Sequence, residues 1–120
     1  MESKFYVSLE AARLLKEKGY NEVTKAAWCG IFGEMKIAPQ IGGYRNSDYS
    51  DDIKLYSAPT KSEAIDWLES KGVIVEIQYY QESSTWSYAI YCICYMSSDE
   101  EFQTRLEAEE AAIIKALELL

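Results

Sequence analysis

Residues 73–96, VIVEIQYYQESSTWSYAIYCICYM, decide the fold of this chain. Two runs rich in β-branched and aromatic residues, 73–80 and 86–96, flank a polar stretch, a pattern typical of a β-hairpin. Pairing Tyr79 with Trp86 gives the hairpin one continuous apolar face, which a shift of one residue would destroy. The same register pairs Ile77 with Tyr88, Val75 with Ile90 and Val73 with Cys92.

The opposite face of this hairpin changes character along its length. Near the turn it is polar or small, with Glu76, Gln78, Ser87 and Ala89. Its far end is apolar and consists of Ile74, Tyr91, Ile93 and Tyr95. This patch is either covered by a helix or by the N-terminal strands, or it is an exposed surface for self-association or for a protein partner. We take these four residues as candidate partner-binding residues.

Capping chemistry predicts three helices. Residues 60–63 (TKSE) and 104–107 (TRLE) are capping boxes, in which a Thr hydroxyl and a Glu carboxylate satisfy backbone amides at the helix start. Ser8 is a simpler N-cap for a helix over 9–18. The first two helices end at the glycines favoured just past a helix C-terminus, Gly19 and Gly72.

The first half has weaker signals. Residues 26–37 predict one or two strands, residues 38–52 a polar loop and residues 53–56 a further short strand. The resulting element order is helix, strand or strands, helix, two strands, helix. It predicts one α+β domain over 1–120, a two-layer sandwich of a mostly antiparallel sheet and about three helices.

The charge is unevenly distributed. Residues 1–60 hold 8 acidic and 8 basic side chains, whereas residues 61–120 hold 12 and 4, so the net charge of −8 lies in the second half. Because nucleic-acid affinity depends mainly on Lys and Arg, direct DNA or RNA binding is not expected. The chain lacks a run of about 18 apolar residues, and we expect no membrane segment.

The residues available for chemistry are limited. The chain has no His, which removes the commonest general base and transition-metal ligand. Three cysteines, an odd number, favour a reducing cytoplasm over a disulfide framework. Cys92 and Cys94 are two residues apart on the predicted strand and so lie on the same face. We expect both to pack in the core and not to bind metal. With only Cys29 besides, a zinc site lacks ligands.

Two other motifs are incomplete. The acids Asp48, Asp51 and Asp52 lack the spacing of a calcium loop, and the glycines at 30, 33, 42 and 43 lack the Lys-Ser or Lys-Thr of a phosphate-binding loop. We therefore predict no catalytic residue, metal or cofactor, and a protein that is not an enzyme.

Several segments carry a family resemblance. They are LEAARLLKEKG at 9–19 with YNE at 20–22, YSAPT at 56–60, WL at 67–68, VEI at 75–77, residues 86–91 and the final helix with Glu107, Ala108 and Ala111. They resemble a group of small uncharacterised proteins associated with prophages and mobile elements of gut Bacteroidetes. The resemblance implies a cytoplasmic, phage-derived accessory or regulatory protein and assigns no site residues.

The leading hypothesis is a non-enzymatic protein-interaction module. The aromatic patch, the acidic second half and the missing catalytic motifs support it. The alternatives are a homo-oligomer that uses the patch as a symmetric contact, and an acidic inhibitor of a host protein that mimics nucleic acid. An enzyme acting through paired carboxylates is a further alternative, which would need a pocket with acids of raised pKa.

Overall fold

The computed structural model describes residues 2–37, 43–50, 52–92, 95–97 and 100–120, with the backbone alone at 2, 3 and 95–97. The chain divides into two compact units, Met1–Thr60 and Lys61–Leu120, each described below by itself. Each unit contains one three-stranded antiparallel sheet. The α+β class is confirmed. The expected single sheet is replaced by two, because the strands of the first half pair with one another.

The helices and strands have the following bounds. The helices are α1 (Leu9–Glu17), α2 (Lys61–Ser70) and α3 (Arg105–Leu119). The strands are β1 (Ala26–Cys29), β2 (Glu34–Ile37), β3 (Leu55–Ala58), β4 (Ile74–Tyr80), β5 (Thr85–Tyr91) and β6 (Tyr95–Ser97). Two short 3-10 helices lie at Glu2–Phe5 and Asn46–Asp48.

The first unit packs α1 against its sheet, with strand order β2-β1-β3. The Ser8 hydroxyl accepts a hydrogen bond from the backbone N–H of Ala11, as its N-cap role predicts. At the other end, Gly19 adopts φ +93° while the N–H of Tyr20 donates to the Leu15 carbonyl. Glycine is favoured here because a Cβ opposes positive φ. Leu15 is fully buried in this unit's core.

A buried amide secures β3 to the rest of the first unit. Asn46 donates through Nδ2 to the Tyr20 carbonyl and accepts through Oδ1 from the Ser57 N–H, both at 2.9 Å. Asn46, Ser57 and Tyr20 are all buried. Asn46 therefore satisfies two backbone groups that water does not reach.

The second unit contains α2, the sheet β4-β5-β6 and α3, with α3 in contact with α2, β4 and β5. The predicted capping box of α3 is present, since Thr104 accepts from the Glu107 N–H and the Glu107 carboxylate accepts from the Thr104 N–H. α3 buries three alanines at i, i+4 spacing beside two larger residues: Ala108, Ala112, Ala116, Ile113 and Leu117. Leu120 follows the last helical residue and is exposed.

The predicted hairpin register is confirmed over β4 and β5. Tyr79 pairs with Trp86, and the pairs further along follow it: Ile77 with Tyr88, Val75 with Ile90. Ser87 and Ala89, expected on a solvent-facing surface, are buried instead. Both are small side chains on β5, the central strand, and Gln78, which pairs with Ser87, is half-buried, so this part of the hairpin face is covered and not open to solvent.

The predicted single strand over 86–96 is wrong. β5 ends at Tyr91, and Tyr91 pairs with Tyr95 of β6, so the chain reverses direction between these two residues. The predicted pair of Val73 with Cys92 is accordingly lost, because Cys92 follows the end of β5. A run of alternating apolar residues is compatible both with one long strand and with two strands joined by a turn. This stretch contains none of the residues that usually mark a turn, so the sequence did not indicate the reversal.

Candidate functional site

Two apolar side chains lie beside each other at the open end of the β4–β5 hairpin. Ile74 begins β4 and pairs with Tyr91, which ends β5. Each is 39% exposed. Directly opposed residues in an antiparallel pair share one face, with Cβ atoms about 5 Å apart. We call this pair the Ile74–Tyr91 strip, and its exposed apolar surface makes it a candidate contact site.

The other two predicted patch residues have different outcomes. Tyr95 begins β6 and occupies the register position next to Tyr91, on a neighbouring strand rather than on the same one. Ile93 and Cys94 lie outside the described residues. The ladder thus places Ile74, Tyr91 and Tyr95 consecutively across three strands.

The strip has an acidic and polar border. Glu76 is two residues beyond Ile74 on β4 and is exposed. Its Oε1 accepts hydrogen bonds from Gln78 Nε2 at 2.9 Å and, more weakly, from Tyr91 Oη at 3.4 Å. In the strand order of the described residues, β4 is at the edge. An edge strand offers backbone donors and acceptors to an added strand.

Cys92 is exposed, which contradicts its expected place in the core. It lies just beyond the end of β5, so the strand geometry that would have directed it inward does not extend to it. In the described ranges, no three His, Cys, Asp or Glu side chains are arranged to hold a metal ion.

A hydroxyl cluster fixes one carboxylate at the hairpin turn. The Thr85 hydroxyl donates to Glu101 Oε1 at 2.5 Å and lies 2.6 Å from the Ser83 hydroxyl. Hydrogen bonds from Thr85 and Ser83 hold the pKa of Glu101 below its ordinary value. This carboxylate is therefore ionised at neutral pH, which suits an acceptor at the turn and not a general acid.

Lys61 is a buried lysine, which its position in the sequence did not predict. It begins α2, and its Nζ lies 3.8 Å from Oε1 of Glu110 on α3. Burial lowers the pKa of Lys61, while Glu110 and Glu109 oppose the shift. Glu109 is itself buried and pairs with Arg105 at 3.3 Å. These four residues form an ion-pair group between two helices, and its geometry is that of a structural link.

A second candidate site is an open cavity of about 760 Å³ within the first unit. Arg13, Lys16 and Glu17 reach it from one face of α1, and Lys54 and Tyr56 reach it from the start of β3. The turn after β1 forms the remaining wall. Three cations and one carboxylate line this cavity, although residues 1–60 have no net charge.

Tyr56 organises the cations of this cavity. The Arg13 guanidinium lies 5.8 Å and the Lys16 ammonium 5.3 Å from the centroid of its ring, within the range of cation–π attraction. The spacing of Arg13, Lys16 and Glu17 places them on one helix face and was readable from the sequence. Their meeting with Lys54 was not, because it depends on the pairing of β3 with β1.

Comparisons with known proteins contribute no further assignment. The chain matches no family model, no curated protein and no solved structure. Among the described residues, every helix is too short or too polar to cross a membrane.

Proposed function

We propose that this protein is a non-enzymatic protein-interaction module whose Ile74–Tyr91 strip binds a basic protein partner. The observation that carries the proposal is the direct pairing of two exposed apolar side chains beside an exposed carboxylate, Glu76. Interfaces commonly combine such an apolar centre with a polar rim. In keeping with the family resemblance, we place the protein in the cytoplasm as a phage-derived accessory protein.

Charge favours a different protein as the partner over a second copy of this chain. The second unit has 12 acidic and 4 basic side chains, a net charge of −8. Two such units brought together would repel each other, whereas a partner rich in Lys and Arg would be attracted and oriented. The edge position of β4 also suits an extended segment of the partner, which would pair with its backbone.

Two titratable groups of the second unit have partners within the unit. Glu101 is held ionised by two hydroxyls, and Lys61 is held close to Glu110. Both groups are used in the internal structure of the unit. The proposal accordingly assigns them no part in a reaction.

Affinity capture with matched variants tests this proposal. The tagged full chain is compared with Ile74→Ser/Tyr91→Ser and with Val23→Ser/Ile37→Ser, which alters two other exposed apolar side chains in the first unit. We expect a basic protein from a lysate of the source cells to be retained by the natural chain and the control pair only. The purified partner is then expected to bind the strip variant at least about tenfold more weakly, a loss of about 1.4 kcal/mol.

Two results would overturn the proposal. One is a partner that binds the folded strip variant with unchanged affinity. The other is a natural chain that dimerises through the strip, because that result would make the strip a self-association surface.

A further inference from the structure

We propose that the cavity of the first unit binds a ligand that carries a phosphate monoester group. Its volume of about 760 Å³ falls within the range of small-molecule sites, about 300–1,000 Å³. It is formed by α1, the turn after β1 and the start of β3, all within one compact unit. This site is separate from the Ile74–Tyr91 strip and does not depend on the function proposed for it.

The charge of the cavity matches a phosphate monoester. Arg13, Lys16 and Lys54 bring three positive charges and Glu17 one negative charge, which leaves a formal +2. A phosphate monoester carries about −1.5 to −2 at neutral pH, so it would neutralise the cavity. A single carboxylate would neutralise only half of it. Arg and Lys are also the side chains that give phosphate oxygens charge-assisted hydrogen bonds.

Two of the cations are held in place before a ligand arrives. Arg13 and Lys16 both lie over the Tyr56 ring. Solvent does not reach Nζ of Lys16, so Lys16 contributes only its charge, whereas Arg13 and Lys54 are exposed and can contact the phosphate directly. A charge removed from water interacts more strongly with an opposite charge than an exposed one does. Cations positioned in advance lose less conformational entropy when they bind.

The backbone of the opposite wall is adapted to the cavity. Lys54 adopts φ +58°, a left-handed conformation that disfavours a residue with a Cβ. Its carbonyl accepts the Gly30 N–H at 2.7 Å. A Cβ at Gly30 would lie 2.9 Å from Cε2 of Tyr56, so glycine is needed for this close approach. Glycine or asparagine at position 54 would be less strained, so the presence of Lys54 there supports a role for its side chain in the cavity.

An apolar tip adjoins the site. Ile31 lines the cavity and is 65% exposed, and the next residue, Phe32, is 74% exposed. The phosphate group could therefore belong to a small soluble ester or to a lipid headgroup in a membrane surface, where exposed apolar side chains insert. The two sources share the same phosphate chemistry and differ in their need for Phe32.

Calorimetric titration of the full chain with glycerol 3-phosphate, together with sedimentation on phosphatidic-acid and phosphatidylcholine vesicles, tests the proposal. The site variant is Arg13→Gln/Lys54→Asn, in which Asn suits the left-handed backbone at position 54. The matched control, Lys25→Gln/Lys36→Gln, removes two exposed lysines of the same unit that lie outside the cavity. Circular dichroism verifies that each variant is folded.

We expect the natural chain and the control to bind one of the phosphate probes alike, and the site variant to bind it at least about tenfold more weakly. Binding of vesicles alone, lost in Phe32→Ser, would assign the phosphate to a lipid headgroup. Binding of glycerol 3-phosphate that persists in Phe32→Ser would assign it to a soluble ester. The proposal is overturned if neither probe binds at about 10 mM phosphate, or if the control variant loses as much affinity as the site variant. Stronger binding of single-stranded DNA than of either probe would also overturn it.

Discussion

Replacement of Asn46 by Ala should strongly destabilise the first unit. The Asn46 side chain is the hydrogen-bond partner of the Tyr20 carbonyl and of the Ser57 N–H, and all three residues are buried. Alanine can make neither hydrogen bond. The carbonyl and the amide would then remain in a region that water does not reach.

The expected loss follows from the cost of buried unsatisfied groups. Each such group costs about 1–3 kcal/mol. The Tyr20 carbonyl and the Ser57 amide would each lose the Asn46 side chain as a partner, so we expect about 3 kcal/mol in total for Asn46→Ala. Asn21 provides a matched control, because its Oδ1 accepts from the Ser47 N–H at 2.8 Å in an exposed position. Water replaces that bond, and Asn21→Ala should cost less than about 1 kcal/mol.

Equilibrium unfolding in urea, followed by tryptophan fluorescence, measures both changes. Trp28 reports on the first unit, since its Nε1 donates to the Val7 carbonyl at 2.8 Å. The reasoning would be refuted if the two variants lost equal stability, or if Asn46→Ala lost less than about 1 kcal/mol at an unchanged dependence on urea.

Three further changes test other features of the structure. Gly43→Ala should lower the free energy of unfolding clearly more than Gly19→Ala does. A Cβ at Gly43, where φ is +56°, would lie 2.3 Å from a backbone oxygen, whereas a Cβ at Gly19 meets nothing within 4 Å, so that Gly19→Ala costs about 1–2 kcal/mol. Equal losses of thermal stability would contradict this. Glu110→Gln should lower the free energy of unfolding by about 1–2 kcal/mol, because it leaves the charge of the buried Lys61 ammonium less compensated. Lys61→Met should change it by less than about 1 kcal/mol. A larger loss for Lys61→Met than for Glu110→Gln in urea unfolding would contradict this. The pKa of Glu101 should lie below the ordinary 4.5. The stabilising contribution of this carboxylate is therefore present above pH 4.5 and is lost as the pH falls through its folded-state pKa. An NMR titration of Glu101 with a midpoint above 4.5 would contradict the two hydroxyl hydrogen bonds.

Several local features of both halves could be predicted from the sequence. The register of β4 and β5 followed from the requirement for one apolar face, and the Tyr79–Trp86 pair confirmed it. The capping box at Thr104 and the glycine that ends α1 depend on a few neighbouring residues. Such features are specified within one turn or one hairpin, which is why sequence patterns reveal them.

The remaining features depend on contacts between distant residues. The reversal between Tyr91 and Tyr95 has no turn residue to mark it, and it moved Cys92 from the expected core to the surface. The burial of Lys61 depends on α3, which lies more than forty residues further along the chain. The sequence gives the types of these residues, but their surroundings depend on which distant elements pack together.

The cationic cavity shows the same limit for charge. A net charge of −8 indicated an acidic protein, and the balanced first half gave no sign of a local excess. Pairing of β3 with β1 places Lys54 near Arg13 and Lys16 and so separates positive from negative side chains in space. A local charge of this kind follows from the strand order, which the sequence left open.

Light scattering over a concentration series, combined with thermal unfolding, tests most directly whether the Ile74–Tyr91 strip is an exposed surface for a different partner. The natural chain is compared with Ile74→Ser/Tyr91→Ser. The account predicts monomers for both and midpoints within about 4 °C, the shift that about 1 kcal/mol produces in a chain of this size. A natural chain that is dimeric while the variant is monomeric, or a variant that unfolds, would contradict the account.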